Sequence, residues 1–386
     1  MIYREITKEF ERLLPHFRVL VITGPRQSGK TTLSKAYFSS YTYFNMEDTR
    51  IREQIAAAPK AFLEQYAAKG IVIDEAQQYP ALFSDIQVIA DAHPDYRFVL
   101  TGSSNFTLIR NITQSLAGRV ALFTLLPLSL AELKDKIAAD TDTLLFNGGF
   151  PAVWANGTPA YDVCRNYYNT YVERDVRNLI NVKNLSKFQT FIRLCAGRVG
   201  CEFNASALSN ETGVSAPTIN EWVSILEASY VLFRLQPFYK NIGKRLVKMP
   251  KIYFYDTAMV CFLAGIENAQ QLATHPLRGG IFENMAVLEF IKQRYNAGKD
   301  ANLFFYRDKS QREVDIVQDL GNKYHAYEVK SAKAFHPGFL DNLKYLKNIL
   351  GDSLVRTQVI YDGETDIPTD ENGMVNFRNH LKFKNN

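Results

Sequence analysis

Short apolar runs punctuate the first third of the chain: FRVLVITG, YTYFNM, GIVIDEAQ and RFVLTGSS, each followed by residues whose apolar positions recur at helical spacing. Continuous apolar strands alternating with amphipathic helices predict a parallel sheet covered on both faces. Between about Leu130 and Gly265 the period is mainly helical. Ser129-Leu130-Ala131-Glu132 opens this stretch with a capping-box pattern, in which hydroxyl and carboxylate satisfy each other's free backbone N–H groups. The stretch closes with the aromatic-rich strands VLFRLQPF and KIYFYD. From about Gly279 a helix (FENMAVLEFIKQRY) leads into strands NLFFYRD, REVDIVQDL and YHAYEVK, a helix near Leu340 to Ile349 and a strand RTQVIYDG, again mixed α and β. The pattern predicts an α/β protein of three domains, 1–130, 131–265 and 266–386.

Composition narrows this little. The 386 residues exceed one typical core, and 46% hydrophobic with 22% charged residues is ordinary globular composition. The net charge of +5 is too mild to require a nucleic-acid partner and compatible with one if the basic residues cluster. Cys164, Cys195, Cys201 and Cys261 show no CxxC spacing, so reduced buried thiols are expected rather than zinc ligands or disulfides. The N-terminal residues mix charges into apolar positions, and the Val120–Leu133 run is broken by Thr124, Pro127 and Ser129. Neither reads as a signal sequence or a membrane span, which makes a cytoplasmic location without a membrane partner the expectation.

The chemistry begins at Val19, where an apolar strand runs into Gly24-Pro25-Arg26-Gln27-Ser28-Gly29-Lys30-Thr31-Thr32, a full GxxxxGK[ST] phosphate-binding loop. Its backbone N–H groups are expected to curl around the phosphates of ATP. Lys30 would reach the β/γ oxygens, and Thr31 would hold Mg²⁺. Downstream, Ile71-Val72-Ile73-Asp74-Glu75 ends an apolar strand with two adjacent carboxylates. Asp74 is the expected Mg²⁺ holder and Glu75 the base that polarises water. The strand Arg97–Thr101 is expected to lie between the first two and to present Ser103 or Ser104 as a polar sensor of the γ-phosphate.

GPRQSGKTT, IVIDEAQ, FVLTGSSNF and SLAGRV, with LLPLSL and GGFPAV beyond them, together resemble the prokaryotic AAA-type P-loop ATPases that carry a C-terminal domain of uncharacterised function. The resemblance covers nearly the whole chain. It points to Arg119 and to Arg174 as arginines that could stabilise charge on the γ-phosphate, in their own subunit or in a neighbour's, and either could equally be a salt-bridge partner. An oligomer is required only in the second case.

In the middle segment, Ala205–Ser215 places a short helix, a glycine turn and a capping serine before a second helix that starts near Pro217, which is helix-turn-helix spacing. With β-rich sequence after it, a winged helix is expected beside a helical lid. The second helix carries Glu221 and Glu227 and no Lys or Arg, which disfavours direct reading of a DNA groove. Lys240, Lys244, Arg245, Lys248 and Lys251 gather instead where the wing should be, suited to a phosphate backbone or to plain solvent.

The last segment holds a second acidic set. Alternation along Tyr324–Lys330 places Glu328 and Lys330 on one side of a strand, and Asp315 sits on the strand before. Glu283 lies on the preceding helix. Helix Glu, strand Asp, then E-x-K is the order found in PD-(D/E)xK nucleases, and the resemblance also implies this superfamily, so a restriction-endonuclease-like α/β fold is expected. Glu283, Asp315 and Glu328 would hold Mg²⁺ while Lys330 orients or deprotonates water. Val314 stands where the motif's proline would be. The combined expectation is a Mg²⁺-dependent ATPase acting on DNA. The alternative is an ATP-driven regulatory switch whose C-terminal fold binds a protein and cuts nothing.

Overall fold

β1 (Val19–Thr23) is buried along its whole length, and its side chains alternate between two cores. The structure is a computed structural model describing residues 2–103, 116, 118–176, 184–238, 249–366 and 372–380. Val19 and Val21 pack with Ile71, Ile73, Phe98 and Leu100 on one face of a sheet. Leu20 and Ile22 pack with Val72 and Val99 on the other. A strand apolar on both sides needs cover on both sides. The helix Leu82–Ala92 supplies Leu82, Phe83, Ile86 and Ile89 to the first core, while Leu33 of the helix Lys30–Tyr37 joins the second.

The strand order is β2 (Thr42–Asn45), β3 (Ile71–Asp74), β4 (Phe98–Thr101), β1, β5 (Val120–Thr124), with every pairing parallel. β4 therefore lies between β1 and β3, as expected, and the C-terminal ends of all three emerge side by side. β5 falls within the run that the sequence reading weighs only as a membrane span. Its half-exposed alternation marks it as the edge strand.

These elements form one compact unit, 1–128 with 228–230 and 293–299; a second comprises 129–227, 231–292 and 300–386. The break after Leu128 lies beside the expected boundary at 130, whereas residues on both sides of 265 share the second unit. The reason is strand pairing. β6 (Leu232–Pro237) pairs antiparallel with β7 (Lys251–Phe254) and parallel with β8 (Leu303–Arg307), so the expected wing hairpin extends the C-terminal sheet. That sheet runs β12 (Asn372–Asn376), β11 (Leu354–Tyr361), β10 (Tyr324–Lys330), β9 (Glu313–Asp319), β8, β6, β7. Leu343, Leu346 and Leu350 of the helix Asp341–Leu350 pack against it with Val314, Val317 and Val359.

In the second unit two helices flank a glycine turn where the sequence has helix-turn-helix spacing. Asn204 caps the helix Ala205–Thr212, Gly213 ends it at φ 63, and Ala216–Ala228 follows. Phe188 and Phe191 of the preceding helix Leu185–Ala196 pack on Trp222. The Ser129–Glu132 capping box forms as read. Cys164, Cys195 and Cys261 are buried free thiols, but Cys201 is exposed, contrary to expectation. Among the described residues no helix is long and apolar enough to cross a membrane.

Candidate functional site

The phosphate-binding loop leaves β1 through Gly24 at φ 141, where a Cβ would collide with the carbonyl oxygen of Leu125. Gly29, at φ 93, turns the chain into the helix Lys30–Tyr37. Both positions need glycine, one for close approach and one for backbone conformation. Lys30 is 5% exposed and donates from Nζ to Gly24 O (3.0 Å) and Pro25 O (2.7 Å). Burial pushes its ammonium down to about 8, against the pull of Glu75 and Asp74. Ser28 is fully buried, and its Oγ has no hydrogen-bond partner. Within the loop Arg26 is half-buried, whereas Gln27 and Thr32 are exposed. Arg4 braces the loop from outside, donating to Ser28 O (2.7 Å) and Leu126 O (2.6 Å).

Asp74, 2% exposed at the end of β3, accepts hydrogen bonds from Thr31 Oγ1 (2.7 Å), Tyr43 OH (2.5 Å) and Thr101 Oγ1. Thr31 and Asp74 therefore meet as the sequence predicts. The pairing of β2 with β3 brings Tyr43 to this carboxylate, and burial together with Asp74 raises the Tyr43 phenol. Glu75 adopts φ 52 and points its Oε2 at Ser103 Oγ (3.0 Å) and Gln77 Nε2. Of the two sensor candidates, Ser103 thus touches the expected base, and Ser104 lies outside the described residues. The hydroxyls of Tyr43 and Thr101 escaped sequence reading. The signal available was their position, at the C-terminal end or two residues short of it on strands that neighbour β3.

Arg119 ion-pairs with Asp91 at 2.7 Å and stands immediately before β5. Because β5 runs parallel to β1, with Val19 opposite Val120 and Thr23 opposite Thr124, Arg119 lies at the sheet edge opposite the phosphate loop. The five residues of β5 separate the two edges by about 13–16 Å. Of the readings open for Arg119, the salt bridge is the one formed here, with Asp91 as its partner. Arg174 falls in the Tyr168–Val176 segment, but its side chain lies outside the described residues.

The second acidic set is also brought together. The ladder of β9 with β10 runs from Tyr324–Asp319 to Tyr327–Ile316. Beyond it Asp315 Oδ2 accepts from Val329 N at 2.8 Å. Opposite, the β8–β9 register slips by one residue between the pairs Phe304–Val317 and Tyr306–Val314, so the extra residue falls at Asp315 or Ile316. Such a bulge re-aims the side chain beside it. Lys330 Nζ donates to Glu328 Oε1 at 2.7 Å, confirming that both residues share a face.

The unexpected member is Lys251. It is 2% exposed, not part of a solvated wing, and its Nζ meets Glu283 Oε1 (2.8 Å), Glu313 Oε1 (2.6 Å) and Asp315 Oδ1 (3.7 Å). Tyr253 OH donates to the same Glu283 oxygen at 2.5 Å. Lys240, Lys244, Arg245 and Lys248 lie outside the described residues. Among the described residues no three acidic, imidazole or thiol groups stand as a ready cage for a metal ion. Burial and then Asp315 raise both Glu283 and Glu328, opposed by Lys251 and Lys330 respectively. Burial would lower Lys251, but Glu283, Asp315 and Glu313 reverse this and hold its ammonium above the ordinary lysine value. Glu328 is 4% exposed, and its Oε2 has no hydrogen-bond partner.

Three families match the chain in succession: "AAA domain" over 16–134, "Domain of unknown function (DUF8612)" over 138–270 and "Domain of unknown function (DUF4143)" over 278–379. An uncharacterized protein of Mycobacterium tuberculosis, Rv2008c, is 28% identical over 385 residues, covering 95% of this chain and 81% of that protein. MJ1544 of Methanocaldococcus jannaschii, also uncharacterized, is 23% identical over 346 residues, covering 81% and 74%. Among solved structures, the Walker-type ATPase PABY2304 of Pyrococcus abyssi is 13% identical and covers 68% of this chain and 96% of its own, at a TM-score of 0.44. With the loop geometry described above, the first match makes residues 16–134 an AAA-type P-loop domain.

Proposed function

We propose that the first unit binds ATP with Mg²⁺ and hydrolyses it, and that this cycle governs action of the second unit on DNA. The observation that carries the reading is the meeting of Thr31, Asp74 and Glu75 at the end of β3, beside a loop with an unpartnered buried Ser28 Oγ. A hydroxyl and one carboxylate suit Mg²⁺, which keeps most of its waters and takes phosphate oxygens as further ligands. Thr31 and Asp74 would hold the ion, whose contribution is to neutralise charge on the phosphates. Lys30 would turn from the Gly24 and Pro25 carbonyls to a phosphate. Glu75 would take a proton from water, and Ser103 and Gln77, which share its Oε2, hold the carboxylate in place.

For the second unit, helix-turn-helix geometry supports DNA as partner, and the set Glu283, Asp315, Glu328 and Lys330 supports a divalent-ion site of the nuclease type. The orphaned Glu328 Oε2 fits a cation. In that site the ion would activate water, Asp315 and Glu328 would hold it, and Lys330 would orient the attacking water. One observation favours the second reading, a switch that does not cut: Lys251 already neutralises much of the acidic set. ATP hydrolysis measured with and without single- and double-stranded DNA, scoring DNA integrity in the same tubes, tests both. DNA-stimulated turnover with Mg²⁺-dependent cleavage that is lost in Asp315→Ala supports the first reading. Turnover with intact DNA selects the switch, and no turnover at all rejects both.

A further inference from the structure

Lys251 belongs to β7, yet its ammonium sits among carboxylates supplied by the helix Arg278–Asn296 and by β9. Its backbone is fixed on two sides, opposite Leu235 in the hairpin and opposite Glu202 in an isolated bridge. The Phe305 ring lies 5.6 Å from Nζ. A lysine this buried, with two carboxylate oxygens within 2.8 Å, is a built-in cation rather than a surface side chain that happened to fold inward.

The cluster is still not balanced. Glu283, Glu313, Asp315 and Glu328 face Lys251 and Lys330, and among the described residues a further cation, Arg307, stands at 3.4 Å from Glu313 and is shared with Glu202. The deficit falls at one end. Asp315 Oδ2 is taken by Val329 N–H and Glu328 Oε1 by Lys330, which leaves Glu328 Oε2 buried with no partner. A carboxylate oxygen out of water without a donor is costly unless the group takes up a proton or a cation meets it, and a divalent ion would displace that proton.

We propose that this cleft has two cation positions, that the Lys251 ammonium permanently fills the one between Glu283 and Glu313, and that a single divalent ion enters the other at Asp315 and Glu328. The inference rests on the metal-site reading above and deepens it. Lys251 is a positioning residue: it holds Glu283 and Glu313 away from the ion and limits the cleft to one metal.

Mn²⁺ alone is the probe, titrated into the full chain without nucleotide. The phosphate-loop site recruits its metal chiefly through bound phosphates, and Asp315→Asn subtracts any ion held outside the cleft. Wild type and Lys251→Arg are expected to bind one Mn²⁺ in the cleft. Lys251→Gln should bind two, or one at least about tenfold tighter, because Glu283 and Glu313 become ligands. In EDTA, Lys251→Gln should melt several degrees below wild type, roughly the effect of unpairing buried acids, and Mn²⁺ should restore it. A Lys251→Gln chain that folds only with Mn²⁺ also supports the proposal. One that folds with neither overturns it. Equal Mn²⁺ stoichiometry and affinity in wild type and Lys251→Gln, both lost in Asp315→Asn, overturns the role of Lys251 and leaves the metal site standing. No cleft-bound Mn²⁺ in any variant overturns both.

Discussion

The phosphate loop and the acidic cleft use the same side chains, lysine and carboxylate, in opposite ways. At the loop, Lys30 bonds to backbone carbonyls, while Asp74 and Glu75 are held by hydroxyls and an amide. At the cleft, Lys251 and Lys330 bond directly to carboxylates. A cation resting on neutral carbonyls can move to a phosphate for little loss, and carboxylates resting on hydroxyls can accept a metal. Direct ion pairs away from water must be broken before either partner is free, at a cost of several kcal/mol. The first arrangement is open to an anionic ligand and a cation together. The second takes up only what the pairs leave over.

Variants can break this contrast, and the largest effect is expected at Glu75. Glu75→Gln should bind ATP within about threefold of wild type and lose roughly 10²–10⁴ in turnover, measured by phosphate release. Unchanged turnover would place the base elsewhere and remove the distinction between a working and a quenched acid pair. Lys30→Ala should weaken ATP binding by about 10²-fold, read by calorimetry, because a charge-assisted bond to phosphate is lost. The same contrast has a pH signature. With the Lys30 ammonium lowered to about 8, it is charged below that pH and would meet a phosphate directly. Above it the free protein holds neutral lysine, and binding must take up a proton. Apparent ATP affinity should therefore be level from pH 6.5 to 7.5 and fall above pH 8, by up to about tenfold per pH unit. A flat profile to pH 10 would contradict this. The smallest change is Tyr43→Phe, which removes one of three donors to buried Asp74 and should cost about 1–2 kcal/mol in urea unfolding. An unchanged midpoint would show that Asp74 does not depend on β2.

How far each site could be read from sequence follows from how its residues are spaced. The loop from Gly24 to Thr32 is contiguous, so β1, the turn and the helix after it fix one another locally, and the apolar strand before Asp74 fixes its depth. Ser103 reached Glu75 because β4 inserts between β1 and β3, the placement expected for the branch of P-loop ATPases that the sequence resembles. Tyr43 was hidden, since only the register of β2 on β3 brings it to Asp74. In the cleft, alternation along β10 gave Glu328 and Lys330 their common face, but nothing local joins Lys251 to Glu283, 32 residues away. Its neighbours in sequence are basic, which grouped it with a wing suited to a phosphate backbone or to solvent. The pairing of β6 with β8 carries the hairpin into the sheet and buries the lysine instead. Arg119 shows the converse: the motif drew attention to it, and the parallel register of β5 sets it at the far edge.

The most direct test is phosphate release from ATP by the purified full chain, run with Mg²⁺ and again with EDTA, wild type beside Lys30→Ala. The expected result is turnover by wild type that requires Mg²⁺ and is absent from the variant. Release that persists in EDTA, is equal in Lys30→Ala, or never occurs in wild type would contradict the assignment of ATP chemistry to this loop.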